Sequence, residues 1–233
     1  MAEGITVGGR TYPLEVSLGE VPVPVLDWRD TGLELLATGH NAIATGNEQI
    51  DTVTVHWTGG EGELAQLLST LQTRGYGVEF FVSRLGVVQQ LCDPLVIDAA
   101  GAGGVNARTV NIEVACYGFA GWDPRRRVFR VPPVARDREC YADRLHGVEK
   151  IHAKPYPWQM TALKQLVRTL CTVLNVPRRV PEVTNRALTA AEQHAFSGVW
   201  GHYHVTDRKR DPGSWVMQQI DDDFVSAGSV RWS

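Results

Sequence analysis

The sequence predicts an α/β fold: a central mixed β-sheet flanked by helices, with an N-terminal extension and a long insert. Three observations carry this. Strand-like and helix-like segments alternate along the chain, which favours helices packed on a sheet. An early strand–turn–strand pair, "VEFFVSRLGVVQQLCD", adds an antiparallel element to an otherwise alternating order. A strong amphipathic helix, "PWQMTALKQLVRTLCTVLNV", supplies an apolar stripe to cover the sheet.

Residues 1–50 mix Pro and Gly punctuation with one strand-like piece, "VPVPVLDW". They are expected to form an extension packed on the main domain, which then runs over residues 51–233. "DTVTVHW" alternates Val53, Val55 and Trp57 against Thr52, Thr54 and His56, the period of a strand. "ELAQLLSTLQTRG" reads as a helix stopped at Gly75. The strand pair turns at Leu85–Gly86, and "TVNIEVACYG" is a further strand. In the long helix Pro157 lies near the start, and Leu163, Leu166, Val167, Leu170, Val173 and Leu174 recur at helical spacing. "VWGHYHV" is expected as a short final strand, and "GSWVMQQIDDDFVSAG" as a closing helix. Between Gly118 and Tyr156 lies an Arg- and Pro-rich connection without clear periodicity. Loops of that length are usually functional or partly disordered.

Composition narrows the function classes. The 233 residues carry 43% hydrophobic and 21% charged side chains, with a formal net charge of −3. That balance gives no general electrostatic grip on nucleic acid or anionic membrane. Arg125, Arg126 and Arg127 form a local basic run of the kind that is usually a solvated face. No apolar run has the length of a membrane span, and the N-terminus has no signal-peptide pattern. The expectation is cytoplasmic synthesis without a secretion signal. Cys92, Cys116, Cys140 and Cys171 are too scattered for a zinc knuckle or redox pair and read as plain thiols.

Two segments hold candidate chemistry. His56 ends a strand and precedes a glycine turn, so its side chain faces the crevice at the sheet end, where α/β sites gather. A hydrogen-bonded structural histidine is the bland alternative. "GHYHVTDRKRDPG" places His202 and His204 two apart, on one face if the segment is a strand. Asp211 follows before a Pro-Gly turn. Two imidazoles and one carboxylate are a catalytic zinc set that leaves a position for water. Alternatively Asp211 caps the closing helix and Lys209 is solvated surface.

In these pieces the chain resembles the zinc-dependent N-acetylmuramoyl-L-alanine amidases, a group spanning phage endolysins, bacterial muropeptide amidases and peptidoglycan recognition proteins. The matching pieces, in order, are "VTVHWTGG", "VEFFVSRLGVVQQL", "NARTVNIEV", "PWQMTALKQLVRTL" and "GHYHVTDRKRDPG". They cover about residues 51 to 220. The resemblance implies an amidase/peptidoglycan-recognition-like fold and hydrolysis of the amide between N-acetylmuramic acid and L-alanine. It implies Zn2+ held by His56, His202 and Asp211, with Glu113 as the carboxylate beside the metal and Lys209 stabilising the oxyanion. His204 rivals His202; His202 is preferred because it follows Gly201, and His204 is then second to it, orienting a ligand or water. Trp57, Asn106 and His204 are candidate substrate contacts. The implied partner is peptidoglycan or a muropeptide, not nucleic acid or membrane, and the implied setting is a phage endolysin reaching the wall through a holin or a recycling enzyme. A binding module without activity, or a zinc hydrolase of another amide, are the rivals.

The chain departs from the family pattern at Val78–Glu79, where many members carry Tyr-His, and at Ala100, where many carry His. The insert at 118–156 is a third departure. It is expected to wall the substrate cleft, through Trp122, Phe129, Tyr141 and its arginines, or else to decorate the surface.

Overall fold

The computed structural model describes residues 3–46, 49–60, 62–118, 121–123, 128–130 and 137–226. A six-stranded sheet runs through the molecule. Its strands in chain order are β1 (Val25–Leu26), β2 (Thr52–Trp57), β3 (Phe80–Val82), β4 (Val88–Gln90), β5 (Thr109–Val114) and β6 (Gly198–Gly201). Across the sheet the order is β6-β2-β5-β3-β4-β1. The β6, β2, β5 and β3 strands are mutually parallel; β3 and β4 form the antiparallel pair, and β1 lies parallel to β4. The sheet is therefore mixed, as predicted. Gly86 takes φ +76° in the β3–β4 turn, a conformation an L side chain resists.

The two faces of the sheet differ in chemistry. Alternation along β2 and β5 sends Val53, Val55, Val110, Ile112 and Val114 to one side. There they meet helix α2 (Pro157–Val173), whose Leu163, Leu166, Val167 and Leu170 are fully buried. Truncating one of these leucines to alanine would cost about 2–5 kcal/mol, lost transfer energy plus a cavity. Helix α3 (Ser214–Ser226) adds Val216, Met217, Ile220 and Phe224 to the same core. The other side receives Thr54, His56, Thr109, Asn111 and Glu113, all buried and all polar. Such a face is tolerable only if its groups bond one another. Thr54 Oγ1 contacts Thr109 Oγ1 at 2.7 Å, and Trp200 Nε1 donates to Thr54 at 2.6 Å. Helix α1 (Leu64–Thr73) closes this side over Phe81 and Leu91.

The N-terminal segment supplies the edge strand β1, and its Ile5, Val7 and Leu14 join the main hydrophobic cluster. Arg168 of α2 is fully buried and ties that segment to α3. Its guanidinium donates to both oxygens of Asp223 at 2.7 and 2.8 Å, to Glu20, and to the carbonyl of Glu15.

Two expectations need correction. "VWGHYHV" is not all strand: β6 ends at Gly201, and His202–Val205 form one helical turn. Residues two apart on a helix point in different directions, so His202 and His204 do not share a face. The connection after Gly118 is not irregular throughout. Cys140–Leu145 and Val148–Ala153 form a regular antiparallel hairpin, and Gly121–Asp123 pairs with Val128–Arg130. The hairpin turn uses His146 at φ +53° and Gly147 at φ +74°. Its strands read "CYADRL" and "VEKIHA", half polar on their buried side, so hydrophobic alternation did not reveal them. The side chains of Trp122 and Phe129, and residues Arg125 to Arg127, lie outside the described residues.

Candidate metal and catalytic centre

His56 sits at the end of β2, directly beside Glu113 in the parallel register with β5. His202 opens the turn after β6, the strand on the other side of β2. Three neighbouring parallel strands thus deliver their carboxyl ends to one place. Asp211 arrives by a different route, on the loop before α3, where the backbone N–H of Tyr203 donates to the Asp211 carbonyl at 3.0 Å. The Asp211–Pro212 peptide is cis.

The three side chains converge. His56 Nδ1 and His202 Nδ1 lie 2.9 Å apart, and Asp211 Oδ2 is 3.2 Å from the first and 3.0 Å from the second. All three residues are buried. Donors held about 2.0–2.2 Å from one zinc ion at tetrahedral angles stand about 3.4 Å apart. The cluster is contracted from that by only tenths of an ångström, so two imidazoles and a carboxylate fit a zinc ion here.

Electrostatics follow from the geometry. Burial works against the Asp211 carboxylate, yet its bonds to His202 and His56 win and hold its pKa far below the usual range. Burial also disfavours charge on His56, but Asp211 and Glu113 outweigh it and raise that pKa. His202 goes the other way, lowered by burial and by the neighbouring His56 charge. Glu113 is pushed up to about 7, chiefly by burial, while His56 and Lys209 pull it down. Its Oε2 is buried with no hydrogen-bond partner among the described residues. A buried, unsatisfied carboxylate tuned near neutrality at a strand end has the properties of a proton carrier.

The remaining sequence-predicted residues are placed as follows. Lys209 is exposed on the loop that carries Asp211, close enough for its charge to act on Glu113 and His202. Trp57 continues β2 past His56 and meets His152 of the hairpin edge-to-face at 5.0 Å. Asn106 is engaged locally, its Oδ1 accepting from the Ala102 N–H at 2.8 Å. His204 is not in the cluster. Its Nδ1 accepts from Gly201 N–H and its Nε2 donates to the Val183 carbonyl at 2.8 Å, so both nitrogens serve the backbone.

The sequence reading missed two sets of residues. One is Asn111, whose Oδ1 lies 3.1 Å from His56 Nε2. Its place two before Glu113, on the same face of β5, was the available signal. The other is the hairpin's grip on the loop that carries Asp211. Asp143 accepts from the N–H and hydroxyl of Ser214, both at 2.8 Å, so it caps α3, which Asp211 does not do. His146 Nε2 bonds the Lys209 carbonyl at 2.9 Å. No spacing rule connects those positions.

The family model for N-acetylmuramoyl-L-alanine amidases matches residues 46–214. Comparison with curated proteins gives no match. Among solved structures, the chain is similar to an endolysin N-acetylmuramoyl-L-alanine amidase from Clostridium intestinale, with 18% identity over 78% of this chain and 86% of that one and a TM-score of 0.45. It is also similar to the amidase AmiD from E. coli, solved with the substrate anhydro-N-acetylmuramic acid-L-Ala-D-gamma-Glu-L-Lys, with 18% identity over 74% and 58% and a TM-score of 0.46. Drosophila PGRP-LB gives 14% identity over 85% and 92%, with a TM-score of 0.47. A model match over most of the chain, spanning every strand of the site, means that this chain belongs to the N-acetylmuramoyl-L-alanine amidase family.

Proposed function

We propose that this protein is a zinc-dependent hydrolase of the amide joining the lactyl group of N-acetylmuramic acid to L-alanine in peptidoglycan or its fragments. The observation that carries the reading is the convergence of His56, His202 and Asp211 beside the unpartnered Glu113 carboxylate.

His56, His202 and Asp211 would hold the ion. When bound, zinc supplies a water acidified toward neutral pH and a Lewis acid for the scissile carbonyl. Glu113, raised to about 7, takes the proton from the attacking water and delivers it to the departing alanine nitrogen. One carboxylate can do both because its pKa lies near the working pH. Lys209, on the exposed rim, places an ammonium toward the negative charge that develops on the carbonyl oxygen. Trp57, next after His56 in β2, packs on the hairpin's His152, and His152 on Tyr141, so the insert lies against the end of the strand that carries His56, which supports a role for it as a wall of the substrate cleft.

No helix among the described residues is long and apolar enough to cross a membrane. A phage endolysin released through a holin, and a muropeptide-recycling amidase, both accord with the reading. The test is to measure zinc by elemental analysis of purified protein and then incubate it with peptidoglycan and with a panel of muropeptides. The reading expects about one zinc per chain and release of stem peptides. Retention on insoluble peptidoglycan without release would mark a binding module instead.

A further inference from the structure

Asn111 is fully buried on the polar face of β5, and every polar atom of its side chain is used. Its Nδ2 donates to the Ala99 carbonyl at 3.1 Å. A carbonyl can only accept, so the amide cannot be flipped, and Oδ1 must be the atom that faces His56 Nε2 at 3.1 Å. An oxygen there accepts, so Nε2 must carry a proton. The backbone around the amide is fixed as well. Glu79 Oε2 accepts from the Asn111 N–H at 2.7 Å, and Glu79 Oε1 accepts from the Ala99 N–H at 3.2 Å. The same carboxyl group therefore ties together the two segments that Asn111 bridges. Beneath the amide, a Cβ at position 101 would stand only 2.7 Å from Asn111 Cγ, so glycine is needed there for the amide to lie where it does.

We infer that Asn111, braced by Glu79, is a positioning residue that locks the His56 ring in the Nε2–H form and so reserves Nδ1 for the metal. An imidazole has two nitrogens, and only the one without a proton can bind a cation. In this site Nδ1 points at His202 and Asp211, and Nε2 points at the amide oxygen. Fixing the proton on Nε2 removes the unproductive tautomer and the ring flip together. The same acceptor becomes stronger when zinc withdraws charge from the ring. The departure at Glu79 and the amide at Asn111 are thus parts of one network.

The inference rests on the zinc reading above, and its test separates the two. Asn111→Leu keeps the shape and removes the acceptor. Asn111→Asp keeps the acceptor and removes the donor to Ala99. Asn111→Ala serves if the leucine variant does not fold. Zinc affinity is measured by competition with a chelator, and the His56 tautomer by long-range 1H–15N correlation. The expected result is a loss of zinc affinity of about 10–100-fold in Asn111→Leu or Asn111→Ala, with most of it restored in Asn111→Asp. The wild-type spectrum should show the proton on Nε2. Zinc affinity within about twofold of wild type in Asn111→Leu or Asn111→Ala would overturn the inference. If the wild type binds no zinc, the functional reading fails by itself. The tautomer is then read in metal-free protein at about pH 9, where neutral imidazole dominates. A Nε2–H wild type that becomes mixed in Asn111→Leu still supports the lock, and an unchanged ring overturns it.

Discussion

The two halves of the site are held by different means. The strand half, His56, Asn111 and Glu113, sits on β2 and β5, paired residue by residue from Thr52–Thr109 to Trp57–Val114. Its positions are fixed by a backbone ladder and by a buried polar face. The loop half, His202, Lys209 and Asp211, lies beyond β6 and is held by contacts from elsewhere: the Tyr203 N–H, the hairpin's His146, and Asp143 at the start of α3. A ladder resists single changes because its bonds are many. A loop held by a few side chains does not. Away from the side chains that touch the metal-binding groups, the strand half should therefore tolerate single changes that the loop half does not.

Removing a ligand should affect both halves alike and most strongly. Asp211→Ala leaves two imidazoles with no anion, and zinc content should fall from about one per chain to near zero, with activity below detection. His202→Ala should do the same, and His204→Ala should not, since His204 serves the backbone. Full zinc occupancy in His202→Ala would show that the loop half has been read wrongly.

Glu113→Gln is the next largest effect and isolates the strand half. Zinc should stay bound while turnover falls roughly 100-fold or more, the scale of general acid–base catalysis. Unchanged turnover would take Glu113 out of the chemistry.

Asp143→Ala tests the loop half from outside the cluster. Losing a helix cap costs about 1 kcal/mol, and here the freed segment carries Asp211 three residues earlier. We expect weaker zinc binding in a chelator competition, well beyond any effect of Thr54→Val, which removes the hydroxyl's contacts with Thr109 and Trp200 on the strand side. Equal effects would erase the distinction between the halves.

The smallest expected effect is on stability against pH. Glu79 is pushed up to about 8 and Glu113 to about 7, both chiefly by burial. Between their unfolded pKa, about 4.3, and those values the folded protein holds more protons than the unfolded chain. The share of metal-free stability that these two carboxyls supply should therefore fall as pH rises from about 4.5 to 8, while buried His152 and His204, lowered to about 4, act in the opposite sense below about pH 6.5. Glu79→Gln should flatten part of that slope in denaturant titrations, and an unaltered slope would contradict the assignment.

The same contrast explains what the sequence could disclose. His56 was legible because alternation in "DTVTVHW" gives both the strand and the face, and Glu113 because its strand has the same pattern. Their partner Asn111 lay on that face but carries no ligand chemistry of its own. His202 and Asp211 were legible through the Gly-His and Lys-x-Asp-Pro-Gly pieces, but the turn that separates His202 from His204 was not. Their spacing of two suits a strand as well as a helical turn, and the turn shows only in the structure, where the Thr206 N–H donates to the His202 carbonyl at 3.2 Å. The hairpin was hidden because its buried side mixes Asp143 and His152 with Leu145 and Ala153, which breaks the hydrophobic alternation.

The central claim is that the two halves form one hydrolytic centre for the muramyl–alanine amide. Its most direct test is mass spectrometry of the products from a defined muropeptide in heavy-oxygen water, with zinc-loaded and chelator-stripped protein. The account predicts that the zinc-loaded protein releases a peptide with a free alanine amino terminus and a muramic acid whose lactyl carboxylate carries one heavy oxygen, and that the stripped protein releases neither. Intact muropeptide after incubation with zinc-loaded protein, or cleavage at a different bond, would contradict it.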